Sequence, residues 1–415
     1  MTEGVLDPDR RAFVSPAGKD TDYVEPGSVG HVLSLVRAGV AQTRPELSKA
    51  TGMSRSALSL RLDALSAAGL VVEDGSTQST GGRPAALIRF ENRAGTILVA
   101  DVGVNVSRLA VTDLAANPIS TRTLSLPISG ASPDAVLAEV SSNFEDMLRR
   151  DARGYGPVRG IGIGVPGPVD VRTGELVSPV SMPGWDRYPI RSFFSERFHT
   201  EVIVDNDVNL MAWGEYTMHW RSKTADFVAI KIASAGIGCG IVSSGTLHHG
   251  VTGAAGAIGH IRISGYDDWV CRCGNTGCLG AVMNGDAIAE RLRRRGFEVA
   301  NGRAVAELAS AGTVEAVHEV RSAGRALGEV VAGIISFFNP ELIVIGGDIA
   351  RAHEHLLAGV KEVAYRECTP LGTSRLQILP SRLMEDAGIY GGATMAIDAV
   401  LSPSAVNRML GSQIA

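Results

Sequence analysis

The 415-residue sequence lacks an apolar run long enough to span a membrane. Its longest apolar stretch, residues 330–338, ends at Asn339 and Pro340. A membrane helix needs roughly 20 apolar residues. The N-terminus also lacks the basic and apolar regions of a secretory signal. The sequence therefore predicts a cytoplasmic protein with no membrane association.

An excess of basic residues is also missing, because 39 Lys and Arg stand against 44 Asp and Glu, a formal net charge of −5. Proteins whose whole surface attracts nucleic acid or anionic lipid usually carry a basic excess. Any DNA contact must therefore be local. The chain is also longer than one hydrophobic core usually supports, so we expect two or three folded units.

Cysteine is scarce, but three of the five cysteines fall in one short segment. In a reducing compartment such clustering indicates a metal before a disulfide. Together with one nearby histidine they can close a tetrahedral zinc shell with no open position, which is a structural type of site. The four predicted ligands are His260, Cys271, Cys273 and Cys278. His248 or His249 can substitute for His260, and buried thiols without metal are the plain alternative.

Residues 1–26 are rich in Asp, Pro and Gly and show no apolar period, which predicts a flexible arm. Residues 27–92 instead show three short amphipathic helices followed by a hairpin. Thr43 and Glu46 have the spacing of a capping box at the second helix, and Ser54 is placed to cap the third. This order is typical of a winged helix-turn-helix domain.

In a helix-turn-helix domain the second helix of the motif enters the major groove of DNA. Here that helix begins at Arg55, which can bond a guanine in bidentate fashion. Arg83, in the Gly-Arg-Pro wing tip, can enter a minor groove. The predicted DNA-contacting residues are Arg44, Ser54, Arg55, Ser56, Ser59, Arg61 and Arg83. The plain alternative is a helical packing module with solvated arginines.

From about residue 94 the pattern becomes α/β. A hairpin pattern at 96–114 has a weaker echo at 227–242. Two related halves indicate a duplicated fold with a cleft between lobes. We expect residues 94–415 to form a ligand-sensing domain that includes the zinc site at 260–278. The last residues show only a short helix around 405–410.

Several motifs add specificity, above all the Cys-x-Cys-Gly-x-x-Gly-Cys run and the Asn206-Asp207 pair. Together the sequence resembles the ROK (repressor, ORF, kinase) family over nearly all of residues 27–400. The matching segments are 82–84, 162–170, 183–185, 205–209, 256–260, 271–278, 339–340 and 343–347.

The resemblance implies an actin-like, ribonuclease-H-like two-lobed ATPase (sugar kinase) fold behind the winged helix. It also implies zinc held by the matching His and Cys residues and a sugar site in the cleft. In kinases of the family, the residue matching Asp207 is the general base. The ligand-binding residues expected from the resemblance are Gly167, Ser181, Asn206, Asp207 and His260.

The sequence departs from the kinases of the family at the residues that hold phosphate and sugar. The phosphate loop after Asp101 lacks the usual Gly-Thr, and the family's two sugar-binding glutamates are Ala257 and Gly280 here. We therefore expect no catalysis, with Asp207 vestigial. Loss of two carboxylates weakens binding of a neutral hexose and suggests a bulkier or anionic ligand such as a sugar phosphate.

The leading hypothesis is a ligand-responsive DNA-binding regulator, a repressor of carbohydrate-metabolism genes. It binds operator DNA as a homodimer or homotetramer, because paired half-sites need a symmetric protein. Its effector is a sugar or a sugar derivative, including a phosphorylated one. One alternative is an active ATP-dependent sugar kinase, with Asp207 as base, that carries an added DNA-binding module. Another is a constitutive DNA-binding protein whose cleft binds nothing.

Overall fold

The computed structural model describes residues 25–76, 86–179 and 182–411. Nearly all of the expected flexible arm, residues 1–26, lies outside these ranges, as does the wing tip with Arg83. The chain divides into two compact units. The first contains the described residues up to Ala94 together with those from Asp398 onward, and the second is Gly95–Ile397. No helix within the described ranges is both long and apolar enough to cross a membrane.

Three short helices open the first unit: α1 (Val29–Arg37), α2 (Arg44–Thr51) and α3 (Arg55–Ala67). The predicted capping box is present at α2, where the Thr43 side chain accepts from Glu46 N and Thr43 N donates to Glu46 Oε2 at 3.0 Å. The predicted cap of α3 is also present, since Ser54 Oγ accepts from Ala57 N at 3.3 Å. These bonds satisfy N–H groups that have no partner inside the helix.

A hairpin follows the helices. Strand β1 (Val71–Ser76) pairs with β2 (Ala86–Phe90) in antiparallel fashion, as the sequence predicted. The helices and the hairpin share one apolar core. Its fully buried side chains include Leu33, Leu47, Leu58, Leu65 and Ile88.

The second unit begins with a five-stranded sheet and a small hairpin. Its strands are β3 (Thr96–Asp101), β4 (Val106–Thr112), β5 (Pro118–Ser125), β6 (Val158–Val165), β7 (Val169–Asp170), β8 (Glu175–Leu176) and β9 (Glu201–Asn206). The sheet order is β5-β4-β3-β6-β9, with β7 and β8 pairing separately. Helices α4 (Pro133–Asp151) and α5 (Ile190–Phe198) cover this half.

A second five-stranded sheet repeats that arrangement. Its strands are β10 (Phe227–Ile232), β11 (Ile237–Ser243), β12 (Thr246–Leu247), β13 (Leu342–Gly347) and β14 (Gln377–Pro380). The order is β12-β11-β10-β13-β14. In the first sheet β3 is antiparallel to β4 and parallel to β6. In the second sheet β10 is antiparallel to β11 and parallel to β13. The shared order and directions confirm the predicted duplication.

Helix α6 (Asp207–Glu215) follows β9 and contacts strands of both sheets. Two glycines allow this close packing. A Cβ at Gly164 would lie 2.7 Å from Leu210 Cδ2, and one at Gly240 would lie 2.4 Å from Ala212 Cβ. The first residue of α6 is therefore held where the two sheets meet.

The remaining helices mostly cover the second sheet. They are α7 (Leu279–Met283), α8 (Gly285–Arg294), α9 (Gly302–Ser310), α10 (Val314–Phe338), α11 (His353–Glu367), α12 (Pro370–Thr373) and α13 (Ala387–Val400). The long helix α10 packs along α11. Each half of the unit has its own apolar core.

The C-terminal helix α14 (Pro403–Leu410) packs against α1 and not within the second unit. Gly30 N donates to Asn407 Oδ1 at 2.8 Å. A Cβ at Gly30 would lie 2.1 Å from Pro403 O, so this approach requires glycine. The expected domain 94–415 therefore needs correction, because the segment from Asp398 onward belongs to the winged-helix unit. Apolar side chains of α14 and α1 cover each other, which the local sequence pattern could not reveal.

Candidate functional site

The start of α3 is exposed. Ser54, Arg55 and Ser56 all face solvent, and the Oγ atoms of the two serines lie 3.1 Å apart. Within the described residues Arg55 makes no ion pair. The guanidinium therefore has donors available at the helix end that a helix-turn-helix protein directs to DNA.

Other residues predicted to contact DNA are engaged within the unit. Arg44 pairs with Glu73 Oε1, with Nη2 at 2.5 Å, and its Nη1 donates to Ser59 Oγ at 3.2 Å. Arg61 is half-buried, and the described residues offer no partner to its buried Nε. Arg44 and Ser59 thus join α2, α3 and β1. Arg83 lies outside the described residues.

The four predicted metal ligands lie together. Their ligand atoms all fall within 4.8 Å of one another. Cys271 Sγ is 3.7 Å from His260 Nδ1, and Cys273 Sγ is 3.7 Å from Cys278 Sγ. Two sulfur ligands of one tetrahedral zinc ion are about 3.8 Å apart, as bond lengths of about 2.3 Å require. The donor set and its spacing therefore fit a zinc ion.

The protonation of the thiols differs across this cluster. A hydrogen bond from the backbone N–H of Asn275 lowers the pKa of Cys273 to about 6. Burial raises the pKa of Cys278 to about 12. A bound dication favours the thiolate form of every cysteine ligand.

The alternative ligand His249 has a different partner. Its Nε2 lies 2.6 Å from Asp205 Oδ2. The buried Asp205 carboxylate also accepts from Asn206 N at 2.6 Å and from Asn209 Nδ2 at 2.8 Å. Neither His249 nor His248 belongs to the cysteine cluster. Asp205 instead holds the β9–α6 junction, a role that the sequence did not suggest.

Asp207 opens α6 and forms what we call the acidic centre with Asp101 and Lys231. Lys231 Nζ lies 2.6 Å from Asp207 Oδ2 and 3.8 Å from Asp101 Oδ2. Burial acts to lower the pKa of Lys231, but the two carboxylates outweigh it and raise that pKa above its ordinary value. Burial raises the pKa of Asp101, against the opposing effect of Lys231. Lys231 is therefore a charged, desolvated ammonium.

Sequence reasoning missed Lys231. The available signal was a single lysine in the otherwise apolar strand Phe227–Ile232. A lysine is rarely buried without a carboxylate partner. That signal predicts an acidic neighbour but does not say which residue it is.

The predicted ligand residues Gly167, Asn206 and Asp207 lie together at the start of α6. Asn206 Nδ2 donates to Gly167 O at 2.7 Å, and Asn206 Oδ1 accepts from Val208 N at 2.9 Å. Both ends of the Asn206 amide therefore already bind backbone. His260 lies in the cysteine cluster, and Ser181 is outside the described residues.

The positions of the family's missing glutamates differ in their surroundings. Ala257 is exposed. A Cβ at Gly280 would lie 3.0 Å from Gly259 O, so glycine here lets α7 approach the turn that leads to His260. Neither position supplies a side-chain acceptor for a sugar hydroxyl.

Comparison with known proteins places this geometry in a family. The family described as "ROK family" matches residues 97–399. The chain belongs to the ROK family. Its second unit accordingly has the predicted actin-like sugar-kinase fold, and its first unit is a winged helix at the position found in ROK regulators.

Individual relatives include regulators and kinases. A xylose repressor of Bacillus spizizenii is 30% identical over 360 residues, covering 86% of this chain and 91% of the repressor. A glucokinase of Halalkalibacterium halodurans is 31% identical over 274 residues, covering 61% of this chain and 82% of the kinase. A solved ROK family transcriptional regulator, described as a homolog of the E. coli MLC protein, has a TM-score of 0.77 at 25% identity, covering 92% of this chain and 98% of that one. The two regulators therefore match more of this chain than the kinase does.

Proposed function

We propose that this ROK family protein is a sugar-responsive repressor of carbohydrate-metabolism genes. The observation that supports it best is the winged helix, with the start of α3 exposed, in one chain with a sugar-kinase fold. Relatives matching almost the whole chain are named xylose repressors. Such a protein acts on double-stranded operator DNA, which places it in the cytoplasm. It binds paired half-sites as a homodimer or homotetramer.

The proposed base-reading group is Ser54, Arg55 and Ser56. Their exposure at the first turn of α3 supports direct contact with base edges. Arg44 donates to Ser59 and pairs with Glu73 of β1, so it holds β1 in place. We propose that Arg44 and Ser59 also donate to DNA phosphates at the edge of β1. We propose backbone contact for Arg61 and minor-groove contact for Arg83.

The proposed effector site lies at the start of α6, where Gly167, Asn206 and Asp207 lie together. Ser181 and His260 are added to it from the family resemblance alone. The acidic centre holds two carboxylates and one ammonium, so a phosphate group there meets net negative charge. This favours an uncharged sugar or sugar derivative over a sugar phosphate at that position. Binding there changes DNA affinity through the coupling between the two sites.

We propose that the cleft does not catalyse phosphoryl transfer. A general base needs a carboxylate oxygen directed at the attacking hydroxyl. One of the two carboxylate oxygens of Asp207, Oδ2, is engaged by the Lys231 ammonium at 2.6 Å. The absent Gly-Thr in the first phosphate loop supports the same conclusion.

The experiment starts with selection of DNA fragments bound by the full chain, followed by gel-shift titration with a sugar panel. Arg55→Ala should weaken specific binding about 5- to 150-fold, the loss of one bidentate contact worth ~1–3 kcal/mol. The control Arg408→Ala, an exposed site on α14, should bind like the wild type. Xylose, glucose, N-acetylglucosamine and their phosphates test the effector. Failure to select any DNA would refute the repressor hypothesis. Consumption of ATP by the wild type that is lost in Asp207→Asn would support the alternative of an active sugar kinase.

We further propose one structural zinc ion per chain, bound by His260, Cys271, Cys273 and Cys278. The spacing of these donors and the fully protein-derived shell support it. Elemental analysis should find about one zinc per chain, lost in Cys273→Ser but kept in Cys368→Ser. Chelation should lower the melting temperature of the wild type and of Cys368→Ser. A metal-free native protein with unchanged stability would contradict the proposal.

A further inference from the structure

The acidic centre carries its own cation. We propose that the Lys231 ammonium fills the place of a divalent ion between Asp101 and Asp207. The cleft then binds its ligand without magnesium and does not bind a magnesium nucleotide. This inference goes beyond the proposed function and concerns the cleft alone. It can therefore be tested without any DNA measurement.

The fold brings the three charges together from three different elements. Asp101 is the last residue of β3, and Lys231 lies in β10, the corresponding strand of the second sheet. Asp101 pairs in register with Gly164 of β6, and Lys231 with Gly346 of β13. Asp207 opens the helix that contacts both sheets. The duplication thus places a carboxylate and an ammonium at related positions of the two halves.

The two carboxylates are shielded from water. The side chains of Asp207 and Asp101 are only 9% and 12% exposed, and that of Lys231 is 20% exposed. Asp101 Oδ1 is buried, and the described residues give it no hydrogen-bond partner. Buried carboxylates need a counter-charge, because water no longer stabilises them.

Asp101 cannot turn away toward solvent on the side of α13. A Cβ at Gly388 would lie 2.3 Å from Asp101 Oδ2, so the start of α13 packs directly against the carboxylate. A cation that neutralises Asp101 must therefore lie beside it within the cleft.

Lys231 is the cation that can supply this charge. Arg108 also acts on Asp101 electrostatically. Its guanidinium, however, is bound to Glu385 Oε2 at 2.8 Å and to Asp386 Oδ1 at 2.5 Å. Lys231 Nζ lies 2.6 Å from Asp207 Oδ2 and 3.8 Å from Asp101 Oδ2, so it occupies the space between the two carboxylates that a bridging metal ion would need. A dication added there would be repelled by the ammonium.

The test compares divalent-cation binding in four proteins, each kept with its zinc. These are the wild type, Lys231→Met, the double variant Lys231→Met/Asp207→Asn, and the control Lys361→Met. Each is titrated with Mn²⁺ alone, followed by electron paramagnetic resonance for bound ion and by melting temperature. We expect no Mn²⁺ site at the acidic centre of the wild type or the control.

Lys231→Met should melt at a lower temperature and gain one Mn²⁺ site that restores stability. The double variant should lose that site. If Lys231→Met does not fold, folding of the double variant supports the proposal, since removal of one carboxylate restores the charge balance. The proposal is overturned by a Mn²⁺ site that the wild type and Lys361→Met both have and that the double variant lacks. It is also overturned if Lys231→Met gains no site, or if the double variant is no more stable than the single one.

Discussion

The winged-helix unit should depend on the last helix of the chain. Val406 and Leu410 of α14 are 0% and 3% exposed. Replacing both with alanine removes about five buried methyl or methylene groups, worth roughly 4 kcal/mol at ~0.8 kcal/mol each. Domains are stable by only about 5–15 kcal/mol, and small ones lie near the lower end. The double variant should therefore leave the unit only marginally folded.

Hydrogen exchange followed by mass spectrometry measures this effect locally. Amides of Val29–Arg37 should exchange much faster in Val406→Ala/Leu410→Ala, while those of Phe227–Ile232 should keep their protection. Specific DNA affinity should fall with the folded fraction of the unit. The control Arg408→Ala changes an exposed residue of the same helix and should leave both measurements unaltered.

The predicted dependence on α14 is refuted if α1 exchanges as slowly in the double variant as in the wild type. It is also refuted if Arg408→Ala causes the same loss of α1 protection, because the loss would then not depend on burial of the α14 side chain. A uniform increase in exchange across both units would indicate general destabilisation and not loss of the α14 contact.

Three further predictions concern single residues. Thr43→Ala should destabilise the winged-helix unit by about 1 kcal/mol through loss of the α2 cap, with Thr43→Ser close to wild type in denaturant titration. Gly256→Ala should lower the melting temperature strongly, because φ is 89° and a Cβ would lie 1.8 Å from Cys239 O. The control Gly236→Ala should not, since the space around Gly236 is open. Burial raises the pKa of Cys239 to about 12. At pH 8 only about one thiol in 10⁴ would be thiolate. Native protein should thus resist iodoacetamide at Cys239 until guanidinium unfolds it, and rapid native labelling would contradict this.

Features set by neighbouring residues were predictable. The caps at Thr43 and Ser54 depend on residues three positions apart, and both are present. The four metal ligands occupy one short segment, so their closeness in space was expected from the sequence. The duplicated sheets followed from two similar hairpin patterns.

Features that join distant segments were not predictable from local pattern. Gly30 and Asn407 are 377 positions apart, and nothing near either residue indicates the other. The sequence suggested a helix at 405–410 but could not say which surface it covers. The sequence left His249 open as a substitute zinc ligand for His260. In the structure His249 pairs with Asp205 instead.

The packing around α6 fixes the position of Asp207 independently of the charges beside it. The glycines that let α6 pack between the sheets, Gly164 and Gly240, preserve the place of Asp207 whatever the cleft binds. Catalysis needs more than that place: it needs an unpaired carboxylate and phosphate-binding loops. A single lysine in β10 neutralises the carboxylate without disturbing the sheet, because its strand pairs on both sides through backbone atoms. If the proposal for the acidic centre holds, Lys231 takes the place of a metal ion beside Asp207 while the packing of α6 between the sheets stays unchanged.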